Sequence, residues 1–129
     1  MLKTENLMNE YKLILNERFE RSVVSFLNSK TGGRIFIGVR DDGTVVGVEN
    51  PDEVQMKISD RIKNNIRPET LGLYDIVLNE DEGKFFIEVI VSSGTDKPYY
   101  LKSFGMTSEG CLIRVGSQSQ QMTQAMIEN

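Results

Sequence analysis

The stretch NSKTGGRIFIGVRDDGTVVGVEN, residues 28–50, holds five glycines and two adjacent aspartates in twenty-three positions, and it constrains the fold more than any other. RIFIGV (34–39) reads as a buried strand and TVVGV (44–48) as its partner. Asp41-Asp42-Gly43 lies between them, and an Asp-Gly turn between two apolar runs is a strong hairpin signal because glycine supplies the φ > 0 position cheaply. Gly32 and Gly33 turn the chain from helix to strand, or else let a phosphate approach backbone N–H groups. No G-x-x-x-x-G-K-[ST] pattern follows, which excludes a P-loop in this chain. Gly38 and Gly47 suit close backbone packing or a bulge within the hairpin.

The flanking elements follow from period. NEYKLIL (9–15) alternates, with Tyr11, Leu13 and Leu15 on one side, as a strand does. Phe19, Val23, Phe26 and Leu27 mark one face of a helix that stops at Asn28. Asn50 as cap, Pro51 at the first helical position and Glu53 in a capping-box position predict a second helix over 51–66, ended by Pro68. LYDIVLNEDEGKFFIEVIV reads as a hairpin around Asp81-Glu82-Gly83, KPYYLK (97–102) as a short strand and CLIRVGS (111–117) as a last one. A helix is expected from Met122 on. The chain stops inside it, so this is expected to be the N-terminal part of a longer protein.

Composition narrows the chemistry. With 129 residues, the chain suits one domain with a single core. It contains no histidine and one cysteine, Cys111, which excludes a disulfide framework, a Cys/His zinc site and any Ser-His or Cys-His relay. No apolar run is long enough to span a membrane, and the polar N-terminus does not read as a signal peptide, so the cytoplasm is the expected setting. The net charge of −4 at first argues against a polyanionic partner. However, residues 71–90 hold five acids against Lys84 alone, a balance of −4, and everything else sums to zero.

Three ordered blocks now stand out: Glu5, Glu10, Tyr11 and Lys12; the run from Phe26 to Gly47; and Pro98 to Ser117. Together they resemble the Alba-like domain, associated with DNA binding, that is shared with the Schlafen proteins. The resemblance spans roughly residues 5–117. It implies an α+β fold, nucleic-acid binding, a homodimer and, in bacterial members, a place in regulators. Some Schlafen members cut structured RNA with two glutamates and an aspartate. By position these would be Glu5, Glu10 and Asp41, with Asp42 as the alternative.

The residues themselves leave two readings open. Converging carboxylates could hold Mg²⁺ or Mn²⁺, which take oxygen ligands and could polarise a phosphate. Equally, Glu5 is a solvated terminal charge and Asp41-Asp42 shape a turn. For polyanion contact the best block is Lys97, Tyr99, Tyr100 and Lys102, with Arg114 on the next strand and Lys12 nearer the start. Alternation puts Tyr99 and Leu101 on one face and Tyr100 and Lys102 on the other. On the alternative reading Tyr99 is core and Arg114 pairs with an acid. Lys57, Arg61 and Lys63 form a second basic set, balanced by Asp52, Glu53 and Asp60, with Glu53 and Lys57 spaced to pair.

The expected architecture is a single α+β domain, mixed or antiparallel hairpins packed against two or three helices. The expected function is that of a nucleic-acid-binding domain, for DNA, in a bacterial protein resembling transcriptional regulators. The alternatives are a Mg²⁺- or Mn²⁺-dependent RNA endonuclease and a protein interaction or dimerisation module. No membrane partner is expected.

Overall fold

Two stretches of alternating apolar residues, one glycine-rich strand and a tight acidic turn converge on one mixed sheet. The computed structural model describes residues 6–128. β1 (Asn9–Lys12), β2 (Gly33–Ile37), β4 (Tyr74–Asp81) and β5 (Lys84–Val91) line up in the order β1-β2-β5-β4. Between β2 and β4 lie α2 (Pro51–Asn65) and the two-residue β3 (Ile66–Arg67). β1 runs parallel to β2, while β2 with β5 and β5 with β4 are antiparallel. Parallel neighbours need a crossover, and α1 (Phe19–Leu27) provides it.

α1 is buried on nearly every side. Phe19, Val23, Phe26 and Leu27 enter the main core with Ile35, Ile37, Ile87 and Val89, as their helical spacing predicts. Ser22 and Ser25 face elsewhere. Ser25 Oγ accepts from Ser119 Oγ at 2.9 Å, on a small hairpin made of β7 (Leu112–Val115) and β8 (Gln118–Gln121). The chain thus returns to cover the second side of α1. β6 (Tyr100–Leu101) pairs with β3. Asn28, just past α1, ties this return in place. Its Nδ2 donates to the carbonyls of Tyr99 (3.0 Å) and Leu112 (2.8 Å), and its Oδ1 accepts from Tyr99 N (2.7 Å). α3 (Gln124–Glu128) closes a small cluster of Cys111, Met122 and Ile127. Tyr11, Phe36, Val39, Val45 and Phe86 form a separate cluster.

The hairpin around Glu82-Gly83 is as expected, both residues at φ > 0 and Asp81 paired with Lys84. The one around Asp41-Asp42-Gly43 is not a full hairpin. Only the bridge Val39–Val45 forms, because Gly38 (φ +96°) and Gly47 (φ +87°) leave the extended region and break the ladder on both sides. The glycines are nonetheless needed, since a Cβ on Gly38 would lie 3.0 Å from the Gly47 carbonyl carbon. Asn50 also departs from expectation. It has φ +49° and its side chain caps nothing, so α2 begins on Pro51 and on the Val54 N–H donating to the Asn50 carbonyl. At the end of the chain, Gly116-Ser117 is a turn and Gln118–Gln121 a further strand.

The acidic segment of residues 71–90 falls on β4, β5 and the turn joining them, with β4 at the sheet edge opposite β1. Charged edges discourage strand pairing with other chains. Three strand spacings separate the two edges, about 14 Å. That exceeds the screening length of about 8 Å at physiological ionic strength. A basic surface beside β1 is therefore compatible with a net charge of −4. Among the described residues no helix is long and apolar enough to cross a membrane.

Candidate nucleic-acid interface

The β1 pleat sends Glu10 and Lys12 to one face and Tyr11 to the other. Glu10 lands under α1, where Ser22 Oγ donates to its Oε2 and Arg114, from the middle of β7, donates through Nη1 to its Oε1. Lys12 Nζ lies 3.1 Å from Oε2. Burial alone would raise the Glu10 pKa, but Lys12, Ser22 and Arg114 outweigh it and hold the carboxyl below its ordinary value. Arg114 Nη2 reaches the carbonyls of Asn6 (3.0 Å) and Asn9 (3.2 Å), and its guanidinium stacks 4.8 Å over Phe26. Its side chain has no solvent exposure. A second carboxylate on α1, Glu20, is held the same way. Burial pushes its pKa up, while Arg61 (Nε–Oε2 2.9 Å) and Asn65 (2.7 Å) bring it down below the ordinary value.

Arg18 and Arg21 stand differently. They lie three residues apart at the start of α1, Arg18 exposed and Arg21 half-buried. Among the described residues neither is within ion-pair distance of a carboxylate. Both border two depressions. One, about 300 Å³, is polar, with Lys12, Ser117, Gln118 and Ser119 completing the surface above Glu10. The other, about 730 Å³, opens on the opposite side of the pair, toward Leu101, Ser103 and Phe104. Cations that no carboxylate holds in an ion pair stay available to phosphate oxygens.

The expected site residues are distributed over several places. Glu5 lies outside the described residues. Glu10 and Asp41 line separate depressions that share no residue. Asp41 is exposed in its turn, and Asp42 is the residue that shapes it, accepting from Thr44 N at 3.0 Å. That bond holds the Asp42 carboxyl below its ordinary pKa. Among the described residues no group of three or more His, Cys, Asp or Glu could hold a metal. Glu10 fits a divalent cation poorly, since Arg114 and Lys12 already neutralise it and occupy its oxygens. Arg114 itself is a correction. Expected to face phosphates, it is interior and paired with an acid, because at that depth its charge requires a partner.

Lys12 keeps 12 % side-chain exposure and is tied to Glu10. Lys97 is exposed and donates to Ser93 Oγ at 2.9 Å, while Lys102 is exposed in the turn that follows β6. Tyr99 is core, and Tyr100 is half-buried against Cys111, Met122 and Ile127. Neither Lys97 nor Lys102 borders the depressions beside Arg18 and Arg21. The residues that sequence reading passed over are Arg18, Arg21 and Phe104. A signal existed for the first two, whose i,i+3 spacing puts them on one helix face away from Phe19, Val23 and Phe26.

The sequence profile of the family described as Schlafen, AlbA_2 matches residues 5–123. Two solved structures are similar in fold. A protein from Corynebacterium diphtheriae superposes with a TM-score of 0.68 at 16 % identity, over 94 % of this chain and 23 % of its own length. The chain thus spans less than a quarter of that protein. The N-terminal domain of a protein from Nitrosomonas europaea, named as related to the ATP-dependent DNA helicase RecG, superposes with a TM-score of 0.60 at 24 % identity. That match covers 89 % of this chain and 82 % of the solved domain. No curated protein matches the sequence.

Proposed function

The chain belongs to the Schlafen, AlbA_2 family, and from that premise we propose that it is a nucleic-acid-binding domain whose phosphate contacts come from the start of α1. Membership of the family supports a nucleic-acid-related role, and the name of the RecG-related protein is in keeping with it. The observation that carries the reading is the pair Arg18 and Arg21, without acidic partners among the described residues, flanked by Lys12, Ser117 and Ser119. Arginine forks and hydroxyl groups are the donors that phosphates take, and such contacts position a strand without reading its bases. Of the acidic strands, β4 lies at the opposite sheet edge, and Glu88 on the interior β5 is paired with Arg34. A place within a DNA-binding regulator fits the same contacts.

Fluorescence anisotropy with duplex DNA, single-stranded DNA and RNA over a salt series tests the proposal. Each phosphate contact contributes a slope of about −0.9 in log K against log salt for duplex and about −0.7 for single strands. Arg18→Ala with Arg21→Ala should lower affinity and flatten that slope by about one to two. Unchanged affinity and slope in a folded double variant would remove this surface from the function. Metal-dependent RNA cleavage is not favoured by the Glu10 environment, and cleavage by the purified protein would overturn that preference.

A further inference from the structure

The two depressions beside Arg18 and Arg21 differ in chemistry. The smaller is polar, whereas the larger carries an aromatic side chain, Phe104, at 50 % exposure. Among the described residues Phe104 stacks on no other ring. The backbone beneath it is held in place. Phe104 N and Gly105 N both donate to the Leu101 carbonyl, at 3.1 and 3.0 Å. Gly110 N and Cys111 N both donate to the Thr107 carbonyl, at 3.0 and 2.8 Å. A half-exposed ring on a loop tied down at both ends is an ordered platform that need not be organised when a ligand arrives.

Arg18 and Arg21 border both depressions, so one strand can cross between them with a phosphate on the arginines and its base on the ring. The carboxylates on the aromatic side do not forbid this. Glu20 is paired with Arg61 and takes a hydrogen bond from Asn65, which leaves Glu17 against two arginines without an ion-pair partner among the described residues. The cavity of about 730 Å³ is ample, since pockets for small organic ligands run from about 300 to 1,000 Å³. A duplex keeps its bases paired and stacked inside, out of reach of a ring fixed on a surface loop. Aromatic platforms beside cationic tracks are how proteins hold unpaired strands.

We infer that the depression lined by Phe104 takes an unpaired base, so that this domain prefers single-stranded nucleic acid. The inference rests on the phosphate-binding role of Arg18 and Arg21 proposed above. Its test uses the absence of tryptophan from the chain, which makes Phe104→Trp a single fluorescent reporter. An oligothymidylate strand should quench that reporter. An abasic strand of equal length should bind through its phosphates and leave the emission unchanged. Phe104→Ala should weaken binding of the single strand about 5- to 160-fold, the range of stacking losses on alanine substitution. Its salt slope and its weaker duplex binding should not change. Equal single-strand affinity in Phe104→Ala and wild type would overturn the stacking assignment and leave the phosphate contacts standing. Quenching by free thymidine monophosphate as strong as by the strand would overturn the preference for a strand. Binding of no nucleic acid at all would overturn this inference and the proposed function together.

Discussion

Glu10→Gln preserves shape and removes one charge, which makes it the sharpest perturbation of the network under α1. In the wild type Glu10 faces two cations, Arg114 with no exposed side chain and Lys12 with 12 % exposure. Gln leaves those cations facing each other with no anion between them. Removing one partner of a buried ion pair costs about 3–5 kcal/mol. An amide oxygen can still accept one bond, and Glu10 keeps 11 % exposure, so the lower end, about 3 kcal/mol, is expected. At 129 residues each kcal/mol moves Tm by roughly 3–5 °C, which predicts a fall of about 10–15 °C. Urea unfolding followed by far-UV circular dichroism at pH 7 measures the loss. The double variant with Arg114→Met should recover much of it, since the unpaired charge is then gone. A loss below about 1 kcal/mol in the single variant would refute the reasoning, because it would mean that Arg114 is already hydrated or paired elsewhere. The same assay separates roles. A carboxylate kept for catalysis is commonly neutral or costly to stability, so its removal would not destabilise.

The depressed pKa values of Glu10 and Glu20 give stability an acid limb. Both groups bind protons more weakly folded than unfolded, so their contribution is complete above the ordinary value of 4.5 and is lost as pH falls through the folded values. The urea midpoint should therefore stay level from pH 7 to about 5 and then fall, and Glu10→Gln should shorten the fall. Asn28→Ala removes three hydrogen bonds to buried backbone and should cost about 3 kcal/mol in the same unfolding assay. Asn28→Asp should cost more, since a carboxylate would face the two carbonyls that Nδ2 now satisfies. Asp41→Asn should leave stability within about 0.5 kcal/mol, as asparagine serves an exposed turn equally well. Millimolar Mn²⁺ should not change the melting temperature of that variant relative to wild type, and a shift lost on substitution would reinstate Asp41 as a ligand.

Elements whose apolar residues repeat at their own period were determined by the sequence alone. Phe19, Val23, Phe26 and Leu27 mark α1, Ile58 and Ile62 mark the buried side of α2, and Glu82-Gly83 marks the β4–β5 turn, because in each case the signal is local. Gln118–Gln121 carries no alternation, and only its hydrogen bonds to β7 make it a strand. The parallel pairing of β1 with β2 likewise depends on where α1 crosses. The residues 44–48 misled for the opposite reason. Their pattern is right for a strand, but two glycines at φ > 0 end the ladder. The candidate site was the least legible part. Glu10 and Arg114 are 104 positions apart, and in the sequence each is an ordinary charge on an ordinary strand. Burial turned one carboxylate into a structural group and withdrew Arg114 from the surface. It left Arg18 and Arg21, the plainer-looking pair, beside Phe104 from a loop more than eighty residues away. Local period is written in neighbouring side chains, whereas which charges find partners is decided only when distant strands are brought over one helix.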